Sequence, residues 1–257
     1  MKALITGASS GIGTDIARYL AKSGHDLILV ARRKERLDSL AAELGEKHGI
    51  NAEVIPMDLC NAENCMALYK AVENKDVDIV INNAGFGLLG RFVENDLDRE
   101  LAMIDLNIRA MHILTKLFLQ SFYNKGKGKI LNVASIGGYM PGPLLATYYA
   151  SKAYVVSLTH AIREEVRKDG LSDSIYVGCL CPGPVNTEFS DVANVRFSLS
   201  GKSSQFVAEH AVKMMFKGKA AIFPGIDIKF LAFASRLLSN PLLARISYNV
   251  QHKKYSR

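Results

Sequence analysis

The chain has 257 residues, 49% of them hydrophobic and 22% charged, a balance that excludes global disorder and a length that suits one large domain or two small ones. Its formal net charge is +7. Six basic residues (Lys229, Arg236, Arg245, Lys253, Lys254, Arg257) against one acid, Asp227, lie between Ile226 and Arg257, which leaves 26 basic and 24 acidic residues before them. Basic character gathered in one terminal segment, with no recognition motif beside it, argues against a nucleic-acid surface.

The elements alternate along the chain. Lys2–Thr6 reads as a short apolar strand, Gly11–Ser23 as a helix, and Asp26–Ala31 as a strand buried on both faces. Arg33–His48 has helical spacing, Ala52–Pro56 is a strand, Ala62–Glu73 a helix, and Asp78–Ile81 a strand that runs into the turn Asn82–Gly85. One long helix is expected over Leu97–Phe122, then a strand at Lys129–Ala134, a helix at Tyr148–Lys168 and a strand at Ile175–Cys181. A helix at Gln205–Phe216 and a last short strand near Ala220–Phe223 follow. Such alternation implies right-handed crossovers: an α/β, doubly wound Rossmann-type domain with a mostly parallel sheet of about seven strands. Residues 1–225 read as this dinucleotide-binding catalytic domain, and 226–257 as its helical, basic C-terminal appendage.

The first strand begins at Lys2, so no cleavable signal is expected ahead of it, and no apolar run reaches the roughly 20 residues of a membrane span. Cys60, Cys65, Cys179 and Cys181 lack zinc-site spacing, and the six histidines (25, 48, 112, 160, 210 and 252) form no ligand pair. A cytoplasmic protein without a metal is the expectation.

Thr6-Gly7-Ala8-Ser9-Ser10-Gly11-Ile12-Gly13 sits between the first strand and the first helix. A dinucleotide diphosphate can meet backbone N–H groups and the positive end of a helix dipole there. Gly7 permits the tight turn, Gly11 the approach of the phosphates, and Gly13 close packing of helix on strand. At the end of the second strand, an acid would bind the ribose 2′-hydroxyl of NAD; the sequence has Ala31-Arg32-Arg33-Lys34 instead. Guanidinium groups attract a 2′-phosphate, so NADP(H) is favoured through Arg32 and Arg33. The bland reading, three basic residues on a solvated first turn, stays open.

Tyr148 and Lys152 are four residues apart and share a helix face. A free phenol titrates near 10. An ammonium one turn away is expected to lower that value and fit Tyr148 for proton transfer. Tyr149 is a rival donor, but it stands three residues before Lys152.

The G-x-x-x-G-x-G loop, the Asn82-Asn83-Ala84-Gly85 turn and Tyr148-x-x-x-Lys152 together resemble the short-chain dehydrogenases/reductases of about 250 residues, over nearly the whole chain. The resemblance implies a catalytic tetrad of Asn107, Ser135, Tyr148 and Lys152. Ser135 would hold the substrate carbonyl oxygen, and Asn107 would hold a water touching the lysine. It further implies cofactor contacts at Gly7, Ser9, Ser10, Gly11, Ile12, Gly13, Asp58, Leu59, Asn83, Ala84 and Gly85. Tyr148 and Lys152 themselves, Pro182 and Gly183 in the turn after the sixth strand, and Val185 and Thr187 near the nicotinamide would complete the cofactor set. Many NADP-using relatives carry a basic residue where Ser9 and Ser10 stand. Pairing into a homodimer or homotetramer through the two long helices is also implied.

Loops Phe86–Phe92, Gly137–Thr147 and Asn186–Ser204 lie where substrate should enter, and Met140, Leu144, Leu145, Phe189 and Phe197 give them an apolar cast. The expected activity is hydride transfer between NADP(H) and a secondary alcohol/ketone pair, most readily reduction of a hydrophobic carbonyl. An NADP-binding sensor without turnover is the alternative from another class. An extended-branch epimerase is disfavoured, because T-G-x-x-G-x-x-G is absent. The apolar stripe Phe230, Leu231, Phe233, Ala234, Leu237 and Leu238, beside basic residues, suits packing on the domain or a sister subunit, or weak peripheral contact with anionic lipid.

Overall fold

In a computed structural model, residues 1–188 and 201–255 are described. Seven parallel strands form one sheet: β1 (Lys2–Thr6), β2 (Asp26–Ala31), β3 (Ala52–Pro56), β4 (Val77–Asn82), β5 (Gly128–Val133), β6 (Ile175–Leu180) and, at the far edge, Ala221–Ile222. Their spatial order is β3-β2-β1-β4-β5-β6 and then that edge strand, the doubly wound arrangement with a crossover reversal between β1 and β4. Two-residue strands at Val185–Asn186 (β7) and Lys202–Ser203 (β8) pair with each other and are too short to have left a periodic signal. The edge strand is therefore β9.

Alternation along the strands builds two apolar layers. Ala3 and Ile5 of β1, with Leu27 and Leu29 of β2, face α1 (Gly11–Lys22), α2 (Lys34–His48) and α7 (Ser204–Phe216). Leu4, Ile28 and Val30 point the other way, toward α3 (Ala62–Val72), α5 (Met111–Lys125) and α6 (Ala146–Lys168). Phe118 and Phe122 fill the second layer and are almost wholly buried. At roughly 1.5–3 kcal/mol for each large apolar side chain removed from water, these two layers hold the sheet in place.

The long helix expected over Leu97–Phe122 is interrupted. It begins as α4 (Leu97–Ile104), capped by Asp96 accepting from Arg99 N, passes through a wider π-type stretch at Asp105–Ala110, and resumes as α5. The extra residue per turn rotates Asn107 inward. Helices α8 (Ile226–Ala234) and α9 (Asn240–Tyr255) form the C-terminal appendage. Among the described residues, no helix is long and apolar enough to cross a membrane.

Candidate active site

The loop from β1 to α1 turns at the carboxyl edge of the sheet. Gly7 (φ +66°) and Gly11 (φ +55°) hold left-handed backbone, which a Cβ disfavours. A Cβ on Gly13 would overlap the Gly7 carbonyl oxygen and come within 2.5 Å of Asn83 Nδ2. Ser10 caps α1 in extended backbone without a side-chain bond to the helix, and Ile12 packs half-buried on the core. The N–H groups of Asn83 and Ala84 both donate to Thr6 Oγ1 at 3.0 Å, and Asn83 Nδ2 donates to the Thr6 and Gly7 carbonyls at 3.0 and 3.2 Å. Gly85 completes this turn; a Cβ there would lie 2.7 Å from Asn107 Oδ1. The loop is a cradle that added Cβ atoms would fill, ahead of a twelve-residue helix, and its residues fit a dinucleotide diphosphate.

At the end of β2 the basic residues separate. Arg33 donates from Nε and Nη2 to Ser9 Oγ at 3.3 and 3.2 Å, so a glycine-loop hydroxyl steadies the guanidinium. Arg32 is mostly exposed and lies 4.0 Å from Asp58 Oδ2. Lys34 is turned away to Asp38 at 2.6 Å. Asp58 Oδ1 accepts from Cys60 N at 3.0 Å, and Leu59 is buried in the second apolar layer.

Ser135 follows β5, and Tyr148 and Lys152 rise from the first turns of α6 beside it. Ser135 Oγ accepts from Gly137 N at 3.0 Å, which leaves its own hydrogen to donate elsewhere. A Ser135–Tyr148 hydrogen bond favours the phenolate, but burial of the Tyr148 ring outweighs it and holds the phenol well above its ordinary range. This corrects the expectation of a lowered value. Lys152 Nζ is 5.8 Å from the Tyr148 ring centroid and donates to the Val133 carbonyl at 2.8 Å. Burial brings the lysine itself down to about 8. The hydroxyl of Tyr149, the rival donor, meets the C-terminal appendage: Gln251 Nε2 of α9 donates to it at 2.7 Å.

Asn107 is 1% exposed and its amide is committed to protein groups. Oδ1 accepts from Phe86 N (3.1 Å), and Nδ2 donates to Phe86 O (2.9 Å) and Ser151 Oγ (3.0 Å). Ser151 Oγ in turn donates to the Tyr148 carbonyl at 2.7 Å. The amide therefore clamps the segment after Gly85 to the helix that carries Tyr148 and Lys152, a set of direct bonds rather than the implied water contact.

Beyond β6, the Pro182 carbonyl accepts from Ile136 N at 2.9 Å, Gly183 packs under Ile228 where a Cβ would overlap that side chain, and Val185 is buried. Thr187 lies over the glycine loop: its Cγ2 is 3.0 Å from where a Gly11 Cβ would stand. Leu89, Leu144 and Leu145 form a small apolar cluster against Tyr148 and Tyr149. Phe189 and Phe197 lie outside the described residues. Sequence reasoning missed Arg36 and Glu188. Arg36 Nη1 donates to Glu188 Oε1 at 2.6 Å and Arg33 Nη1 to Glu188 Oε2 at 3.0 Å. Arg36 was accessible from its place one helical turn after Arg33, whereas Glu188 carries no local signal.

A family model described as short chain dehydrogenase matches residues 1–195. A very-long-chain 3-oxoacyl-CoA reductase of Phaeosphaeria nodorum is 35% identical over 85% of the chain and 64% of its own length. The chain thus spans less than two thirds of that relative. Among solved structures, a short-chain dehydrogenase from Sphingobium yanoikuyae in complex with NADPH is 31% identical, with a TM-score of 0.83 over 92% of this chain and 93% of that one. A short chain dehydrogenase/reductase from Burkholderia phymatum in complex with NAD is 25% identical, with a TM-score of 0.81 over 90% and 91%.

Proposed function

This chain belongs to the short-chain dehydrogenase/reductase family, and from that premise we propose that it is an NADP(H)-dependent oxidoreductase interconverting a secondary alcohol and a ketone, acting chiefly as a reductase of apolar carbonyl compounds. The observation that carries the reading is the gathering of buried Ser135 and Lys152 and half-buried Tyr148 at the carboxyl end of β5, against the apolar cluster of Leu89, Leu144 and Leu145.

When bound, the nicotinamide supplies or accepts the hydride. The protein's own residues do the rest. Ser135, with its oxygen already accepting from Gly137, donates its hydrogen to the substrate carbonyl oxygen and stabilises charge as it develops there. Tyr148 is held protonated by burial, the state an acid needs, and gives its phenolic proton to that same oxygen. In the reverse direction the phenol must lose that proton, and the Lys152 ammonium stabilises the phenolate electrostatically. Asn107 fixes the spacing between the Gly85–Phe86 backbone and α6 through Ser151. The apolar cluster excludes water from the carbonyl and selects an apolar substituent.

Preference for NADP(H) is supported by Arg33, set on Ser9 at the end of β2, with Arg32 beside Asp58. It is also supported by the NADPH complex of the Sphingobium relative, while the Burkholderia complex with NAD sets the competing case. Exposed Leu97, Leu101 and Tyr154 on α4 and α6 support pairing of two copies through these helices. Exposed Ile226, Phe230, Phe233 and Leu237 beside Lys229 and Arg236 support a weak peripheral membrane contact of the appendage. The experiment is a panel of carbonyl compounds followed by NADPH absorbance and repeated with NADH. Turnover of apolar ketones with NADPH is expected. Tight NADPH binding without turnover of any carbonyl would overturn the enzyme in favour of a cofactor sensor, and equal rates with NADH would overturn the role of the arginines.

A further inference from the structure

Glu188 stands one residue beyond Thr187 and 152 residues from Arg36, yet its two carboxylate oxygens reach two guanidinium groups, Arg33 Nη1 at 3.0 Å and Arg36 Nη1 at 2.6 Å. Arg33 is thereby engaged on both sides. Nε and Nη2 point to Ser9 of the glycine loop, and Nη1 points to the carboxylate. Next to it, Thr187 lies against the position a Gly11 side chain would fill. The Thr187–Glu188 turn thus crosses the cofactor groove at two points: over the diphosphate cradle, and at the end of β2 where the ribose 2′ position is read.

We propose that Glu188 is an internal anion seated on the 2′-phosphate subsite formed by Ser9, Arg33 and Arg36, and that its competition with the phosphate sets how strongly the protein prefers NADPH to NADH. The inference rests on the reading of this groove as an NADP(H) site. A 2′-phosphate carries two negative charges to a place already holding a carboxylate. It must displace Glu188 from the arginines or suffer repulsion at close range. A 2′-hydroxyl brings no charge, and a carboxylate is the group that accepts its hydrogen bond in NAD-using proteins. Glu188 therefore penalises NADPH and supports NADH, opposite to Arg33 and Arg36 beside it. Both arginines and Glu188 are between four and five tenths exposed. Solvent screens each ion pair, so displacement costs little and the penalty is a matter of several-fold, not thousands.

The test is equilibrium binding to the intact protein, by fluorescence titration with NADPH and NADH and by calorimetry with adenosine 2′,5′-bisphosphate and 5′-AMP, which lack the nicotinamide. Glu188→Gln and Glu188→Ala should tighten NADPH and the bisphosphate about three- to tenfold, and leave NADH and 5′-AMP, which share a free 2′-hydroxyl, unchanged or weaker. Arg36→Gln should weaken the bisphosphate about tenfold and spare 5′-AMP. The inference is overturned if the NADPH/NADH affinity ratio of the Glu188 variants equals or falls below that of the natural chain, or if Arg36→Gln binds the bisphosphate normally. The NADP(H) reading fails separately, if the natural chain binds NADH more tightly than NADPH. The Glu188 inference is decided by the change in ratio on substitution, whichever cofactor the natural chain prefers.

Discussion

Gly13→Ala separates the cost of the cofactor cradle from the cost of the fold. The backbone at Gly13 is helical, so alanine is not strained there, and inside a helix it is worth up to about 1 kcal/mol over glycine. Against that gain, the new Cβ would stand about 1 Å inside ordinary contact with Asn83 Nδ2 and overlap the Gly7 carbonyl. Overpacking of this kind costs about 1–3 kcal/mol. The net loss of stability is then at most about 3 kcal/mol, or at most about 6–12 °C in Tm for a domain of this size. The relief must come from the Gly7 turn, since Asn83 is anchored on Thr6 and Gly7. Displacing that turn by close to 1 Å misplaces the diphosphate cradle, so NADPH affinity should fall more than tenfold. Gly24→Ala is the control. Gly24 has φ +76° and open space around it, so alanine there meets only backbone strain, about 1–2 kcal/mol. Melting temperature and NADPH titration on both variants check the reasoning. It is refuted if Gly13→Ala binds NADPH as the natural chain does, or if Gly24→Ala weakens binding as much.

Three further outcomes are expected. Arg33→Ala should weaken NADPH about 10- to 100-fold by the loss of a charge-assisted bond to the 2′-phosphate and leave NADH within about threefold, as read by fluorescence titration. Lys152 has its folded pKa lowered by burial to about 8 from an ordinary 10.5. Its burial penalty is therefore fully present below pH 8 and is relieved as pH rises toward 10.5, where the unfolded lysine also loses its proton. The natural chain should accordingly gain on Lys152→Met by up to roughly 3 kcal/mol between pH 8 and 10.5; a stability difference that stays flat with pH in denaturant melts would contradict this. Co-sedimentation with vesicles containing anionic lipid should exceed that with neutral vesicles, and Phe230→Ser with Phe233→Ser should abolish it; equal sedimentation of all samples would remove the proposed membrane contact.

Much of the fold was legible because its signals are local. Strand β2 is an unbroken apolar run, and the structure sends Leu27 and Leu29 to one layer and Ile28 and Val30 to the other. The glycine loop was readable for the same reason: three glycines between a strand and a helix have few other physical uses. The π-type stretch at Asp105–Ala110 left no trace, since its apolar spacing continues that of the flanking helices and only the tertiary pull on Asn107 rotates it. The direction of the Tyr148 shift was also misread. Four-residue spacing places an ammonium near a phenol, but it cannot show that Lys152 points to the Val133 carbonyl while the ring is desolvated. Arg36 and Glu188 fall in the same class, because their pairing spans 152 residues and depends on how β7 returns across the groove.

The central claim is that Tyr148 gives the proton, and Tyr148→Phe tests it most directly because only a hydroxyl is removed from a half-buried ring packed on the apolar cluster. With the best carbonyl substrate from the panel, turnover should fall about 10²- to 10⁴-fold while the NADPH dissociation constant stays within about twofold. Turnover within tenfold of the natural chain would contradict the account, and Tyr148 would then be only a packing residue of the apolar cluster.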